Sequence, residues 1–276
     1  MYKKIRGLGT KEAEFLSIVA EGGGQFVLAA AIEFWGSAAV ASRRLYQLRK
    51  KNWVALLERG KYMVIPLEAG AEREWPGDPY VVGSSLVNPS AIAYSTALRH
   101  WGWIESGREP VYIQTTSRKN TAGKSIRGVR YEVVRVPQAK FYGHITVARG
   151  GNDVIVTDRE KSLIDCADDV ERGGGINELI NAVRASAGVI SWPVLGEYGV
   201  RFPNRSALKR LGFLIESELS ELPDEARLVL DRWRSHMSKG VVPLQPGPAG
   251  GGRISTRWRV RVNVWRETRT LPPRGI

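Results

Sequence analysis

Cysteine is almost absent from this chain. Cys166 is the only one in 276 residues, so no disulfide can close within it, and a reducing compartment suits it. Histidine is scarce as well. His100, His144 and His236 are the only three, and none stands at metal-ligand spacing from another, which argues against a histidine-built metal centre. No Gly-x-Ser-x-Gly elbow and no cysteine pair occur. Long apolar runs are missing too. The longest, FVLAAAI at 26–32, falls far short of the roughly 20 residues that a membrane-spanning helix needs. MYKKIRGLGTKEAE at the N-terminus is basic, but no apolar segment of a signal peptide follows it. The expectation is a soluble, cytoplasmic protein that is not an enzyme, with no catalytic residue, no metal and no cofactor.

What the chain does have is positive charge. Lys and Arg number 41 against 28 Asp and Glu, a net +13, with a pI near 10.0. The excess is unevenly placed. Residues 1–66 carry 11 basic and 5 acidic side chains, 67–200 carry 15 and 16, and 201–276 carry 15 and 7. Two basic ends around a neutral middle predict anion-facing surfaces, with nucleic acid the commonest partner of that kind.

The N-terminal third holds the clearest pattern. TKEAEFLSIVAE (10–21) reads as a helix with Thr10 as its N-cap and Phe15, Leu16 and Val19 on its apolar face. QFVLAAAIEFWG (25–36) reads as a second, buried helix stopped by Gly36, and Ser37 precedes a third, SAAVASRRLYQLRKKN. At about 100° per residue, Ala41, Leu45, Leu48 and Asn52 share one arc of that third helix, and Arg43, Gln47 and Lys50 lie opposite. No acid occurs from Ser37 to Leu57. A merely solvated helix mixes charges, because like charges repel and opposite ones at i,i+4 attract. An uncompensated cationic face predicts an anion as the missing partner. WVALLERGKYMVIP (53–66) then reads as a hairpin turning at Arg59-Gly60-Lys61. Helix-turn-helix plus ribbon is the layout of a winged helix, with the helix suited to the major groove of double-stranded DNA.

The expected organisation is α+β. A winged helix-turn-helix domain at 1–66 and a linker at 67–79 precede a larger domain at 80–239 with a mainly antiparallel sheet flanked by helices. A flexible linker at 240–252 and a basic strand and tail at 253–276 complete it. Within the larger domain, 80–86 and 90–102 read as helices, and 110–116, 129–137, 144–150 and 153–158 as strands. A helix follows that is opened by a Thr157…Glu160 capping box, with more at 176–187, 204–218 and 223–235. RISTRWRVRVNVW (253–265) alternates, placing Ile254, Trp258, Val260, Val262 and Val264 on one face and Arg253, Arg257, Arg259 and Arg261 on the other. Arg257, Arg259 and Arg261 are candidates to grip an anion or an acidic partner, or simply to line an exposed sheet face.

Two stretches touch on chemistry and fall short. RKNTAGKS (118–125) ends like a phosphate-binding loop, but Arg118 stands where its first Gly belongs and a strand pattern follows. VIVTDREKS carries Asp158 and Glu160 at a strand end, as a nuclease would, but Arg159 occupies the position of the needed acid.

LRKKNWVALLERGKYMVIPLEAG, AIAYSTALRHWG, VYIQTT, KFYGHI and VTDREKSLIDC, in that order over roughly residues 10–190, resemble the AbiEi antitoxin family of bacterial type IV toxin–antitoxin systems. Residues 191–276 carry no matching motif. The resemblance implies a winged-helix repressor that binds inverted repeats in its own promoter, at the bacterial nucleoid. It also implies a C-terminal domain that counteracts a nucleotidyltransferase-like toxin without needing a stable complex. Carried onto this chain, the DNA-facing set is Ser42, Arg43, Arg44, Gln47, Lys50, Lys51, Arg59 and Lys61. Arg43, Gln47 and Lys50 are expected at base edges, and Arg44, Lys51, Arg59 and Lys61 at phosphates. The alternatives are a nuclease-like enzyme docked by a winged helix and a toxin-binding interaction module.

Overall fold

The computed structural model describes residues 7–69, 77–105, 107, 110–118, 123–247 and 251–264. The protein is α+β with three sheets. Its N-terminal elements are α1 (Thr10–Glu21), β1 (Gln25–Val27), α2 (Leu28–Trp35), α3 (Ala38–Lys50), β2 (Val54–Glu58) and β3 (Lys61–Val64). Three details differ from the sequence reading. The cap of α1 is Gly9, one residue early, because buried Glu12 reaches back to accept the Gly9 N–H at 3.0 Å. The predicted helix over 25–36 starts three residues late: Gln25–Val27 instead pairs antiparallel with β3, Phe26 opposite Tyr62. Its β-type residues gain a ladder there that a first helical turn would leave open. Ser37 enters α3 in extended conformation but makes no side-chain cap.

Gly36 closes α2 in the left-handed region (φ 74°), as expected, its N–H returning to the Ile32 carbonyl. Helices and strands enclose one core of Phe15, Leu16, Phe26, Ala41, Leu45, Leu48, Trp53 and Val64, with Phe15 edge-on to Phe26 at 5.1 Å. The sheet order is β1-β3-β2.

The central six-stranded sheet runs β6 (Lys124–Ile126), β7 (Val129–Arg135), β5 (Val111–Thr115), β4 (Ala91–Ile92), β9 (Asn152–Thr157), β8 (His144–Arg149). The expectation of a mainly antiparallel sheet holds for three of its five pairings. β6/β7, β5/β4 and β9/β8 are antiparallel, but β5/β7 and β4/β9 are parallel, so the sheet is mixed. The two parallel pairings were not foreseen, because chain order shows that strands follow one another and says nothing about which neighbours pair. The helix predicted over 90–102 likewise begins later, as α5 (Tyr94–His100), because Ala91–Ile92 is the strand joining the two halves of the sheet.

β5 is buried along its whole length and sorts side chains by parity. Val111 and Ile113 enter a core with Val81 and Val82 of α4 (Pro79–Ser85), and Tyr112 enters a second core on the other face. That second core holds α6 (Arg159–Asp168), α7 (Ile176–Ser186), α8 (Trp192–Arg201), α9 (Arg205–Glu218) and α10 (Asp224–Ser235). Leu57 and Met63 of the N-terminal hairpin belong to the α4 core. The segment that joins the hairpin to α4 was read as a linker, and its residues 70–76 lie outside the described residues.

The C-terminal stretch departs most from expectation. RISTRWRVRVNVW is not one strand. β11 (Arg253–Ser255) and β12 (Val260–Val262) are antiparallel arms of a hairpin, and Arg259 turns the chain with φ 53°. Ile254, predicted to face inward, is exposed, and buried Trp258 sits in the turn. β10 (Val242–Pro243), inside the stretch read as a flexible linker, pairs parallel with β12, and the adjacent Leu244 is fully buried. Residues 248–250 and 265–276 lie outside the described residues.

Candidate nucleic-acid interface

The α3 surface is built by its neighbours. Ala41, Leu45 and Leu48 are buried against α1, α2 and β2, which turns Ser42, Arg43, Gln47 and Lys50 outward, all exposed. Arg43, Gln47 and Lys50 have no hydrogen-bond or ion-pair partner among the described residues. They lie on one side of the helix at i, i+4 and i+7, spaced so that a groove of DNA can meet all three at once. Asn52, grouped with the inner arc by periodicity, lies past the helix end with φ 54° and is exposed.

The flanking cations are less available. Arg44 pairs with Glu12 at 3.0 Å, although its own side chain is half exposed. Burial would raise the Glu12 carboxyl, but the Gly9 N–H, Arg44 and Lys51 outweigh it and hold Glu12 below its ordinary 4.5. Lys51 donates to the Gly7 carbonyl. At the hairpin tip Arg59 is exposed, and Gly60 takes φ 80°, a conformation that costs glycine nothing. Lys61 does not point away from the protein. It pairs with Glu58 at 3.0 Å and donates to the Ser85 carbonyl at 3.1 Å, which ties the tip to α4. Its expected role at a phosphate is therefore replaced in part by a structural one.

The C-terminal arginines form no ladder. Arg257 pairs with Glu216 of α9 at 3.0 Å, and the same carboxylate takes Arg234 at 2.6 Å and the Trp258 Nε1–H at 2.6 Å. Arg259 donates to the Ser238 carbonyl at 2.8 Å. Only Arg261 of the three has no partner among the described residues, and it is half-buried. The candidate anion site at Arg257, Arg259 and Arg261 is thus not brought together.

The nuclease-like residues are used in folding. Asp158, not Thr157, caps α6, accepting the Lys161 N–H at 2.8 Å, and its other oxygen accepts from the Tyr198 hydroxyl at 2.9 Å. Glu160 accepts the Ser191 N–H ahead of α8. Lys161, fully buried, pairs with buried Asp165, whose carboxyl is raised by desolvation against the pull of Lys161 and Gln114. His144 is pushed down to about 4 by burial and by neighbouring Lys161, which leaves it neutral near pH 7. In RKNTAGKS, 119–122 lie outside the described residues. Lys124 opens β6 and pairs with Glu58 at 3.3 Å. No group of three or more His, Cys, Asp or Glu side chains suited to a metal ion occurs among the described residues. None of the described helices is long and apolar enough to cross a membrane.

One cationic wall beside α3 was missed from sequence. The β6–β7 turn, Arg127-Gly128, stands across an open cleft from α3 and β2, with Lys124 on the same wall. The two-residue Arg-Gly turn between β-type arms was the available signal.

No protein-family model matches the chain, and no curated protein does. Among solved structures, the RV2827C protein from Mycobacterium tuberculosis is similar over 92% of this chain and 92% of its own, with a TM-score of 0.67 at 16% identity. At that identity the likeness is one of fold, and it spans the N-terminal elements, the mixed sheet and the helical layers together.

Proposed function

We propose that this chain is a sequence-specific, winged-helix DNA-binding repressor that also serves as the antitoxin of a type IV toxin–antitoxin system. The order α1-β1-α2-α3-β2-β3 with sheet order β1-β3-β2 supports a winged-helix reading, in which α3 would be the recognition helix and β2–β3 the wing. One observation carries the reading: Arg43, Gln47 and Lys50 share an outward face in a segment with no acid from Ser37 to Leu57. Arg and Lys match guanine O6/N7 and Gln matches adenine N6/N7, so this face is chemically equipped to read bases. In this reading exposed Arg59 would hold a phosphate. Inverted repeats would seat two copies about one helical turn, or a multiple of it, apart.

The antitoxin role rests on the resemblance to the AbiEi family, and the partner implied is a nucleotidyltransferase-like toxin encoded next door. The test is a footprint of the purified chain on DNA upstream of its own reading frame, followed by co-expression with the neighbouring gene. Protection of an inverted repeat, and rescue of growth, support the two halves separately. Plasmid or tRNA cleavage with Mg²⁺ or Mn²⁺ that is abolished in Asp158→Ala would replace this reading with the nuclease one.

A further inference from the structure

Beside α3 lies a cleft of about 590 Å³. Tyr46, Arg49 and Lys50 of α3 form one wall, β2 forms the floor, and Lys124 with Arg127 at the β6–β7 turn forms the other wall. Among the described residues, four cations and no acid line it. Glu58, on the floor strand, turns its carboxylate to Lys61 and Lys124 and is itself largely buried. Lys50 belongs both to the outward face of α3 and to this cleft, so the two are one continuous cationic surface. Tyr46 stands at the rim, 60% exposed, an amphipathic ring with a hydroxyl able to reach an oxyanion.

A duplex seated on Arg43, Gln47 and Lys50 must carry one of its phosphate strands past the flank of α3. We propose that this flanking phosphodiester strand runs through the cleft, clamped between α3 and the β6–β7 turn of the central sheet. The inference rests on the DNA-binding reading and adds to it a contact from outside the N-terminal elements. The cations on both walls favour a polyanion, and an open cleft between a helix and a hairpin suits a strand in transit. Because the contacts are to phosphate, they add affinity without base preference.

Arg127 permits a test that separates charge from turn geometry. It holds φ 49° beside Gly128 at φ 82°, and Asn tolerates that region better than most residues, so Arg127→Asn removes the charge and favours the turn. The full chain and this variant are titrated with random-sequence duplexes and with the upstream DNA across a range of KCl, with thermal melting as the folding control. Expected, at a temperature where melting shows both proteins folded, are an affinity lowered about three- to tenfold on both DNAs alike and a log–log salt slope shallower by about one unit. Hydroxyl-radical protection of one strand beside the α3 contacts should fade. If Arg127→Asn leaves affinity and slope unchanged while Arg43→Ala/Lys50→Ala abolishes binding, the clamp is wrong and the repressor reading stands. If the unaltered chain binds neither DNA, both fall. If poly-glutamate binds the unaltered chain but not Arg127→Asn, and DNA affinity does not change, the cleft takes an acidic protein segment and the proposal is overturned.

Discussion

α3 and the C-terminal hairpin look alike as strings: RRLYQLRKK and RISTRWRVR both crowd cations and contain no acid. The fold treats them oppositely. On α3, Arg43 and Lys50 find no partner among the described residues, whereas at the hairpin Arg257 meets Glu216 and Arg259 meets the Ser238 carbonyl. Local charge therefore does not separate an open cationic face from a brace. What separates them is whether a carboxylate distant in sequence folds into reach. Glu216 does so for the hairpin, and Glu12 does so on α3 for Arg44 alone.

The contrast can be broken most forcefully at α3. Arg43→Ala/Lys50→Ala should lose at least about a hundredfold in affinity for the upstream DNA, at an unchanged melting midpoint. Gln47→Ala should cost about 1–3 kcal/mol on that DNA and far less on random sequence, and equal losses on both would remove its role at bases. At the hairpin the roles reverse. Glu216→Ala leaves Arg234 and the Trp258 Nε1–H without their shared acceptor, and should destabilise by about 2–4 kcal/mol in urea titration without altering DNA affinity. Gly212→Ala attacks the same dock from packing. A Cβ there would stand 2.3 Å from the Trp258 ring, and a rigid indole has no room to yield, so about 1–3 kcal/mol should be lost.

Glu12 sharpens the comparison through pH. Its folded pKa lies below 4.5, so its contribution is present above 4.5 and is lost as pH falls through the folded value. Glu12→Gln should flatten that acid limb and cost about 1 kcal/mol near pH 7, since the Gly9 cap survives in weakened form. The smallest effect belongs to Arg257→Ala. With a side chain 61% exposed, its ion pair should contribute less than about 1 kcal/mol, and DNA affinity should not move.

These outcomes bear on what could be read in advance. The outward face of α3 was legible because helical periodicity and an acid-free run point the same way, and the β2–β3 hairpin because Gly60 interrupts two β-type arms. β1 and β4 were not, since three- and two-residue strands inside apolar runs have no period of their own. α8 was missed because Gly196 and Gly199 dilute its pattern. They are there for packing: a Cβ on Gly199 would lie 2.3 Å from the Trp233 indole. The alternation of 253–265 misled because a turn can carry alternating residues as readily as a strand. The cleft was invisible for another reason: its walls come from residues 46–57 and 124–127, and no local pattern predicts that they meet.

Leu57 and Met63 have a further consequence. They hang from the β2–β3 hairpin but are buried among Val81, Val82, Ile113 and Val156. Cutting the chain after residue 66 would wet both of them and open the sheet beneath, so the N-terminal elements should not survive excision as an autonomous fragment. Melting should be a single cooperative event, and whatever grips the central sheet also holds the N-terminal elements in register.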